Sequence, residues 1–235
     1  DALEILRGAA VDGVEVVAAT PHVRDDYPTT PAVLERGLAD VRQAVADAGL
    51  PIRVVAGGEI ALDRLPRLSQ DDLARFALGG GRHVLLEAPY VGWPLDLAER
   101  LFQLQLHGFV PVLAHPERNL EVQGEPELLR AHVERGLLVQ VTAASLDGRL
   151  GRRSAATARV LLARGLAHLL ASDAHGAEIR EVGLSRAAAA VGDEPLARWL
   201  VRDVPAAILE GTEPPERPAP ARRRLAWRGR GRSAG

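Results

Sequence analysis

The sequence predicts an α/β fold whose parallel strands form a barrel, and three observations lead to this prediction. Apolar, strand-like segments alternate with helix-like segments along residues 1–209. Nearly every predicted strand is followed by a helix, and helical crossovers between apolar strands produce a parallel sheet covered on both faces. No glycine-rich phosphate-binding fingerprint occurs, which favours a barrel over a dinucleotide-binding sheet.

The individual elements follow from local patterns along the chain. Strands are expected where aliphatic and β-branched residues run together between turn residues, namely at 14–19, 52–56, 83–86, 109–113, 137–141 and 166–171. Helices are expected where apolar residues recur with helical spacing, namely at 3–10, 31–48, 69–76, 95–107, 126–135, 154–164, 179–191 and 195–201, with a last turn at 205–209. Ser69 and Asp72 are expected to cap the third helix. Because the chain opens on a helix, the first strand of the alternation is expected to be missing.

The composition excludes several classes of chemistry. The 235 residues are 47% apolar, which is ample for a folded core. Cysteine is absent, which excludes disulfides, thiolate metal ligands and a cysteine nucleophile. All 29 basic residues are arginine, so a phosphate-binding loop with its lysine is excluded as well. The net charge of −2 gives no reason to expect a nucleic acid as partner.

The ends of the chain differ from its body. Residues 211–235 contain four Pro, seven Arg and two Glu, a net charge of +5, and we expect a disordered tail after a domain that spans 1–210. Methionine is absent even at position 1, so we expect a processed chain or a fragment. Because neither an apolar run of 18 residues nor a signal-peptide pattern occurs, we expect no membrane span and a cytoplasmic location.

Polar side chains follow the predicted strands. They are His22, Glu59, Glu87, His115, Arg118, Asn119, Thr142, Asp173 and His175. Because the carboxyl ends of parallel barrel strands face one mouth, three histidines and three carboxylates are expected to meet there. Their nitrogen and oxygen atoms suit Zn²⁺, Mn²⁺ or Fe²⁺. A carboxylate that bridges two such ions would place them to activate water and to bind a phosphoryl group.

The individual residues of this set differ in how strongly they indicate a metal or phosphate site. Glu87 lies in an apolar strand, where a carboxylate costs several kcal/mol unless it is paired or bound to metal. Asp173 and His175 are two residues apart, so on an extended segment both side chains point the same way and form a natural ligand pair. Arg118 can neutralise phosphate charge through its planar fork. A lone histidine after a strand is more often structural, and His83, His107, His132 and His168 are interpreted as packing or surface residues. Tyr90 and Trp93 either border a substrate or anchor their loop.

Six segments resemble one known family. They are A-T-P-H at 19–22, G-G-E-I at 57–60, L-L-E-A-P at 85–89, A-H-P-E-R-N at 114–119, Q-V-T-A-A-S-L at 140–146 and A-S-D-A-H at 171–175. In order and approximate spacing they resemble the bacterial PHP-type tyrosine-protein phosphatases of the CpsB/CapC family, over about residues 1–210. The resemblance implies a distorted (β/α)7, TIM-like barrel. It also implies hydrolysis of phosphotyrosine on a bacterial tyrosine kinase that controls capsular or exopolysaccharide synthesis, with metals in place of a cysteine thiolate.

The same resemblance implies a set of site residues. The metal ligands would be His22, Glu59, Glu87, His115, Asp173 and His175, holding two or three ions, Mn²⁺ first and Zn²⁺ or Fe²⁺ as alternatives. Arg118 would bind phosphate, and Arg180 lies where the family places a second such arginine. The family's opening H-x-H strand and its L-P-G-x-D-D-G loop are absent here, so two histidine ligands are expected to be missing. A histidinol-phosphatase-like phosphoesterase and a truncated, non-catalytic remnant therefore stay open, and so does self-association into homo-oligomers.

Overall fold

The structure is a computed structural model, and it describes residues 2–176 and 182–219. Within these ranges the strands are Val16–Ala19 (β1), His22–Val23 (β2), Arg53–Ala56 (β3), Glu59–Ala61 (β4), His83–Glu87 (β5), Val110–Ala114 (β6), Leu138–Thr142 (β7) and Leu169–Ala171 (β8). Strands β1 and β3 form a two-stranded sheet, and a six-stranded sheet has the order β2-β4-β5-β6-β7-β8. Every pair in both sheets is parallel, which confirms the α/β prediction with a parallel sheet.

Each of the first two predicted strands is followed, after a break of two residues, by a second short strand that was not predicted: β2 follows β1, and β4 follows β3. Thr20 and Pro21 separate β1 from β2, and proline cannot donate a ladder hydrogen bond. Gly57 and Gly58 separate β3 from β4. A Cβ on Gly58 would lie 2.6 Å from Cδ1 of Phe76, so the buried ring leaves room only for glycine there. Both breaks end directly before a predicted site residue, and His22 and Glu59 then pair in register between β2 and β4.

The helices of seven or more residues lie close to the predicted positions, whereas the short helices Leu120–Gly124 and Ala143–Leu146 were not predicted. The described helices are Ala2–Val11 (α1), Pro31–Asp47 (α2), Gln70–Phe76 (α3), Leu97–Leu106 (α4), Leu120–Gly124 (α5), Arg130–Val133 (α6), Ala143–Leu146 (α7), Arg152–Ala163 (α8), Leu184–Val191 (α9), Glu194–Arg198 (α10) and Val204–Glu210 (α11). Ser69 and Asp72 form the expected capping box of α3. The helix predicted at 126–135 is instead a 3-10 turn, Pro126–Leu129, followed by the short α6.

Helix α9 begins later than the pattern predicts. Residues 177–181 of the predicted helix lie outside the described residues, and Gly183 has a left-handed φ of 54°, so the described helix begins at Leu184. The carboxylate of Asp12 accepts hydrogen bonds from the backbone N–H groups of Leu184 (2.6 Å) and Ser185 (3.1 Å). The start of α9 is thus stabilised from the far end of the chain, by a contact that no local pattern reveals.

Two apolar clusters form the core. The larger lies between the six-stranded sheet and its helices, and its most deeply buried large side chains include Phe76, Leu86, Leu113 and Leu161. The smaller lies between α1, α2 and β3 and is made of Leu6, Ala9, Leu38, Val45, Ile52, Val54 and Val182. None of the described helices is long and apolar enough to cross a membrane.

The segment after α11 packs against the body of the protein. Nε1 of Trp199 donates to the carbonyl oxygen of Pro215 (2.9 Å), and Nη2 of Arg217 donates to that of Leu162 (2.7 Å). We expected disorder from residue 211 onward, and these contacts differ from that expectation up to residue 217. The reason is tertiary, because the partners lie on α8 and directly after α10. Residues 220–235 lie outside the described residues, and disorder there stays a prediction.

Candidate metal centre

Five of the six residues expected as ligands come together. Glu87 ends β5, and His115 and Asp173 follow the ends of β6 and β8. His22 and Glu59 are instead the first residues of β2 and β4, directly after the breaks that end β1 and β3. The donor atoms of the five residues form two groups, His22–Glu59–Glu87 and Glu59–His115–Asp173, and within each group one atom from every residue lies within 4.8 Å of the others. Glu59 belongs to both groups. A carboxylate shared in this way is the arrangement expected when two cations are bridged.

Glu59 is the centre of the cluster. Its Oε1 lies 2.9 Å from Nε2 of His115, and its Oε2 lies 3.0 Å from Nδ1 of His22. Burial by itself raises the pKa of this carboxyl, but the two imidazoles outweigh burial and lower the pKa to about 2. The carboxylate is therefore fully ionised at neutral pH, which is the state a metal ligand requires.

Glu87 is buried and incompletely paired. The side chain is 5% exposed, at the last position of β5. Among the residues that the structure describes, its Oε1 has no hydrogen-bond partner, and the nearest imidazole nitrogen, Nε2 of His115, lies 3.7 Å away. Its Oε2 lies 3.5 Å from Nη1 of Arg24. A buried carboxylate oxygen without a partner is costly, and a bound cation would remove that cost.

Two site residues have unusual backbone conformations. His115 (φ 34°) and Asp173 (φ 49°) are the non-glycine residues with positive φ in the described part of the chain. Such conformations cost about 1–3 kcal/mol each and persist only where tertiary contacts enforce them. The N–H of His115 donates to Oε1 of Gln140 (3.2 Å), and Oδ2 of Asp173 accepts from Nη1 of Arg118 (3.1 Å).

The conformation of Asp173 corrects one step of the sequence argument. The segment is not extended at Asp173, so the rule that residues two apart point the same way does not apply there. The ring of His175 is 40% exposed, and its Nδ1 lies 2.9 Å from the backbone oxygen of Asp173. His175 is close to the cluster, 5.8 Å from His22 between ring centroids, but belongs to neither group of donor atoms. Arg180 lies outside the described residues.

Arg118 and Tyr90 lie beside the cluster. The guanidinium carbon of Arg118 lies 4.7 Å from the centre of the Tyr90 ring, and that ring stacks on His115 at 5.9 Å with an interplanar angle of 19°. Behind them, Glu117 is completely buried and accepts a hydrogen bond from the N–H of Thr142 (3.0 Å). Burial raises the pKa of the Glu117 carboxyl.

Sequence reasoning missed two residues of the loop after β2. Arg24 contacts Glu87, and Tyr27 lies 5.8 Å from the His22 ring. The available signal was their position, two and five residues after a predicted ligand. The other histidines agree with their interpretation, because His83 and His168 are packing residues at strand starts and His107 is exposed.

This donor set can hold divalent metal ions. Imidazole nitrogen together with carboxylate oxygen suits Zn²⁺, Mn²⁺ and Fe²⁺. The half-buried guanidinium of Arg118 adds a fork of donors that matches phosphate oxygens. The arrangement therefore combines a cation site with an anion-binding side chain at one mouth.

Comparison with known proteins gives consistent matches. A family model described as "Capsular polysaccharide synthesis, CpsB/CapC" matches residues 1–210. The tyrosine-protein phosphatase YwqE of Bacillus subtilis (strain 168) is 33% identical over 184 residues, which are 77% of this chain and 71% of that protein. The tyrosine-protein phosphatase CpsB of Streptococcus agalactiae serotype III (strain NEM316) is 23% identical over 196 residues, 80% of this chain and 79% of that protein.

A solved structure matches over most of the chain. It belongs to the crystal structures of YwqE from Bacillus subtilis and CpsB from Streptococcus pneumoniae, which are described as unique metal-dependent tyrosine phosphatases. The TM-score is 0.81 at 27% sequence identity, over 92% of this chain and 90% of that one. The likeness therefore extends to the architecture as well as to the motifs.

Proposed function

We propose that this chain, which belongs to the CpsB/CapC family, is a metal-dependent protein-tyrosine phosphatase. Its substrate would be phosphotyrosine on a bacterial tyrosine kinase that controls capsular or exopolysaccharide synthesis. The single observation that supports this most directly is the pair of donor groups that share Glu59, beside the guanidinium of Arg118. The reaction class is hydrolysis of a phosphoric monoester.

The proposed ligands are His22, Glu59, Glu87, His115, Asp173 and His175, with Mn²⁺ as the first choice and two or three ions in all. The buried Oε1 of Glu87, which has no hydrogen-bond partner in the described part of the chain, supports a cation there. When bound, the ions would supply Lewis-acid activation of water and of the phosphoryl group. Zn²⁺ or Fe²⁺ would suit the same atoms. His175 would have to turn its exposed ring inward to join the set.

The chain's own residues would bind and orient the phosphoryl group. Arg118 would donate hydrogen bonds to the phosphoryl oxygens and stabilise the charge that spreads over them during transfer. Asp173 holds this guanidinium at the mouth through the 3.1 Å contact, so little side-chain freedom is lost on binding. Arg180 remains a proposed second phosphate-binding residue.

The alternatives receive less support. The named relatives are tyrosine-protein phosphatases, which favours this activity over a histidinol-phosphatase-like one. The convergence of five expected ligands with a strained backbone favours a working site over a non-catalytic remnant.

The closed barrel and the cellular context are part of the same proposal. In the described residues β2 and β8 each have one neighbour, and one more parallel strand between them would complete a distorted (β/α)7 barrel. The H-x-H strand expected from the family would take that place. A cytoplasmic location, the kinase partner and self-association remain proposals as well.

The test is turnover of a phosphotyrosine peptide with and without Mn²⁺. We expect hydrolysis that requires the ion, and a loss of at least about 100-fold in His115→Ala, since loss of one preorganised group in an active site typically costs 10²–10³-fold. His107→Ala is the matched control, because His107 is exposed and belongs to neither donor group. Absence of turnover by the unmodified chain with Mn²⁺, Zn²⁺ and Fe²⁺ would contradict the proposal.

A further inference from the structure

Tyr90 occupies a particular place at the mouth of the site. It lies three residues after Glu87, in the loop between β5 and α4. Its ring stacks on His115 and makes a cation–π contact with the guanidinium of Arg118. Tyr90 therefore contacts both a proposed metal ligand and the proposed phosphate-binding residue. The residue is nevertheless 41% exposed, so part of its surface is accessible to a ligand.

The loop that carries Tyr90 is fixed to the segment that carries His115 and Arg118. Nδ2 of Asn119, the only asparagine in the chain, donates to the carbonyl oxygens of Pro89 (2.7 Å) and Gly92 (3.0 Å). The N–H of Leu120 donates to the carbonyl oxygen of Tyr90 itself (3.0 Å). Tyr90 is thus bracketed by three hydrogen bonds, which hold its backbone in fixed relation to the metal cluster.

Two exposed apolar residues adjoin Tyr90. Val91 is 67% exposed and Leu120 is 48% exposed, and both are directly linked to Tyr90 through the chain or the Leu120 hydrogen bond. A phosphoryl group bound by Arg118 would lie next to the Tyr90 ring, because the guanidinium lies 4.7 Å from the ring centre. An ester group that leaves such a phosphoryl group on this side would pass Tyr90 on its way to solvent.

We propose that Tyr90 is a specificity-determining residue that selects aryl over alkyl phosphates by contacting the aromatic ring of the substrate. The inference rests on the proposed phosphatase function and extends it to the choice between phosphotyrosine and phosphoserine. An aromatic pair contributes beyond the area that it buries, which corresponds to roughly threefold to tenfold in binding. The alkyl ester of phosphoserine has no ring to make this contact.

The kinetic test uses two peptides of one sequence, one with phosphotyrosine and one with phosphoserine. The measured quantity is the ratio of their kcat/KM values, in which the different intrinsic reactivities of the two esters cancel when variants are compared. We expect Tyr90→Leu to lower the ratio by about tenfold. Tyr90→Phe should keep it within twofold, because the ring and not the hydroxyl makes the contact. An equal loss on both peptides in Tyr90→Leu would overturn the inference.

A matched control separates a local effect from a general one. Phe102 is an aromatic residue on α4 that is 53% exposed and belongs to neither donor group. Phe102→Leu should leave the ratio unchanged, and a drop equal to that of Tyr90→Leu would contradict the assignment to Tyr90. Tyr90→Ala serves as a second truncation and is expected to act like Tyr90→Leu.

A binding measurement tests the proposed role of Tyr90 without any need for turnover. Titration of the Mn²⁺-loaded protein with phenylphosphonate and with methylphosphonate compares an aryl and an alkyl ligand that carry the same anionic group. Tyr90→Leu should weaken phenylphosphonate by about tenfold and methylphosphonate by less than twofold. An unchanged preference for phenylphosphonate would overturn the inference. Failure of the unmodified protein to hydrolyse either peptide would instead refute the proposed function, and the phosphonate comparison would still decide the role of Tyr90.

Discussion

The pKa values of two histidines in the candidate metal centre and of two histidines at the starts of β5 and β8 are shifted in opposite directions. In the candidate metal centre, contact with Glu59 raises the pKa of His22. Burial opposes the same shift at His115, but the hydrogen bond and charge of Glu59 prevail and raise its pKa. At the strand starts, burial lowers the pKa of His83, and burial with the nearby charge of Arg217 lowers the pKa of His168 to about 4.

The difference teaches that burial alone does not decide the charge of these imidazoles. His83 and His115 are both almost completely buried, and only His115 has a carboxylate in contact. The candidate metal centre therefore combines carboxylates with imidazoles whose pKa they raise, whereas burial favours the neutral form of His83 and His168. Glu87 and His115, at and directly after the ends of β5 and β6, follow the general rule for open parallel sheets, in which ligands bind beyond the carboxyl ends of the strands.

The largest expected effect comes from removing the shared carboxylate. Glu59→Gln keeps the shape of the side chain but removes the charge that joins the two donor groups. We expect a loss of at least about 100-fold in metal-dependent turnover, measured on protein shown to be folded by circular dichroism. Glu35→Gln is the control, since Glu35 is an exposed carboxylate paired with Arg75. Full activity of Glu59→Gln would remove the distinction between the candidate metal centre and the strand starts.

The next effect concerns stability at the strand starts. Nδ1 of His168 accepts a hydrogen bond from the N–H of Val139 (3.1 Å), which requires that nitrogen to be unprotonated. The folded-state pKa of about 4 lies below the ordinary value of 6.5. As the pH falls from 6.5 to 4, the unfolded chain binds a proton that the folded chain does not, so stability falls by about 3 kcal/mol.

Urea unfolding as a function of pH measures this loss. His168→Gln should lack the corresponding part of the pH dependence while it retains turnover per folded molecule, because His168 belongs to neither donor group. A pH profile of stability identical to that of the unmodified chain would show that His168 does not titrate as expected.

The smallest expected effect tests how much Arg217 contributes to the lowered pKa of His168. Arg217 donates to the last turn of α8 at Leu162 and lies 5.8 Å from the centre of the Trp199 ring. Arg217→Gln should lower the free energy of unfolding by about 1 kcal/mol, through the lost helix-end and cation–π contacts. It should also raise the pKa of His168 toward its ordinary value, as followed by NMR titration. Arg36→Gln, on the exposed face of α2, should change neither quantity.

Much of the fold could be predicted because its signals are local. The alternation of apolar runs with helical patterns gave the order of elements, and Gly or Pro residues gave most of their ends. The short strands after Thr20–Pro21 and Gly57–Gly58 were not predicted, because a break depends on what packs beside it, here the ring of Phe76 at Gly58. The late start of α9 was not predicted for a similar reason, because the group that caps it, the carboxylate of Asp12, is far away in the sequence.

The site could be predicted in membership but not in geometry. Because the carboxyl ends of parallel strands share one edge, Glu59, Glu87 and His115 could be grouped from their positions after three strands. The left-handed conformation of Asp173 could not be foreseen. Its side chain is held by the guanidinium of Arg118, 55 residues away in the sequence.

The sequence by itself determined the parallel α/β architecture, the identity of most residues at the mouth and the absence of thiol chemistry, because these follow from periodicity, position and composition. Only the tertiary structure decided that Glu59 is shared by both donor groups, that His175 lies outside them and that Tyr90 stacks on His115. Each of these depends on contacts between residues far apart in the chain. Such contacts are set by packing and by backbone turns that local preferences disfavour.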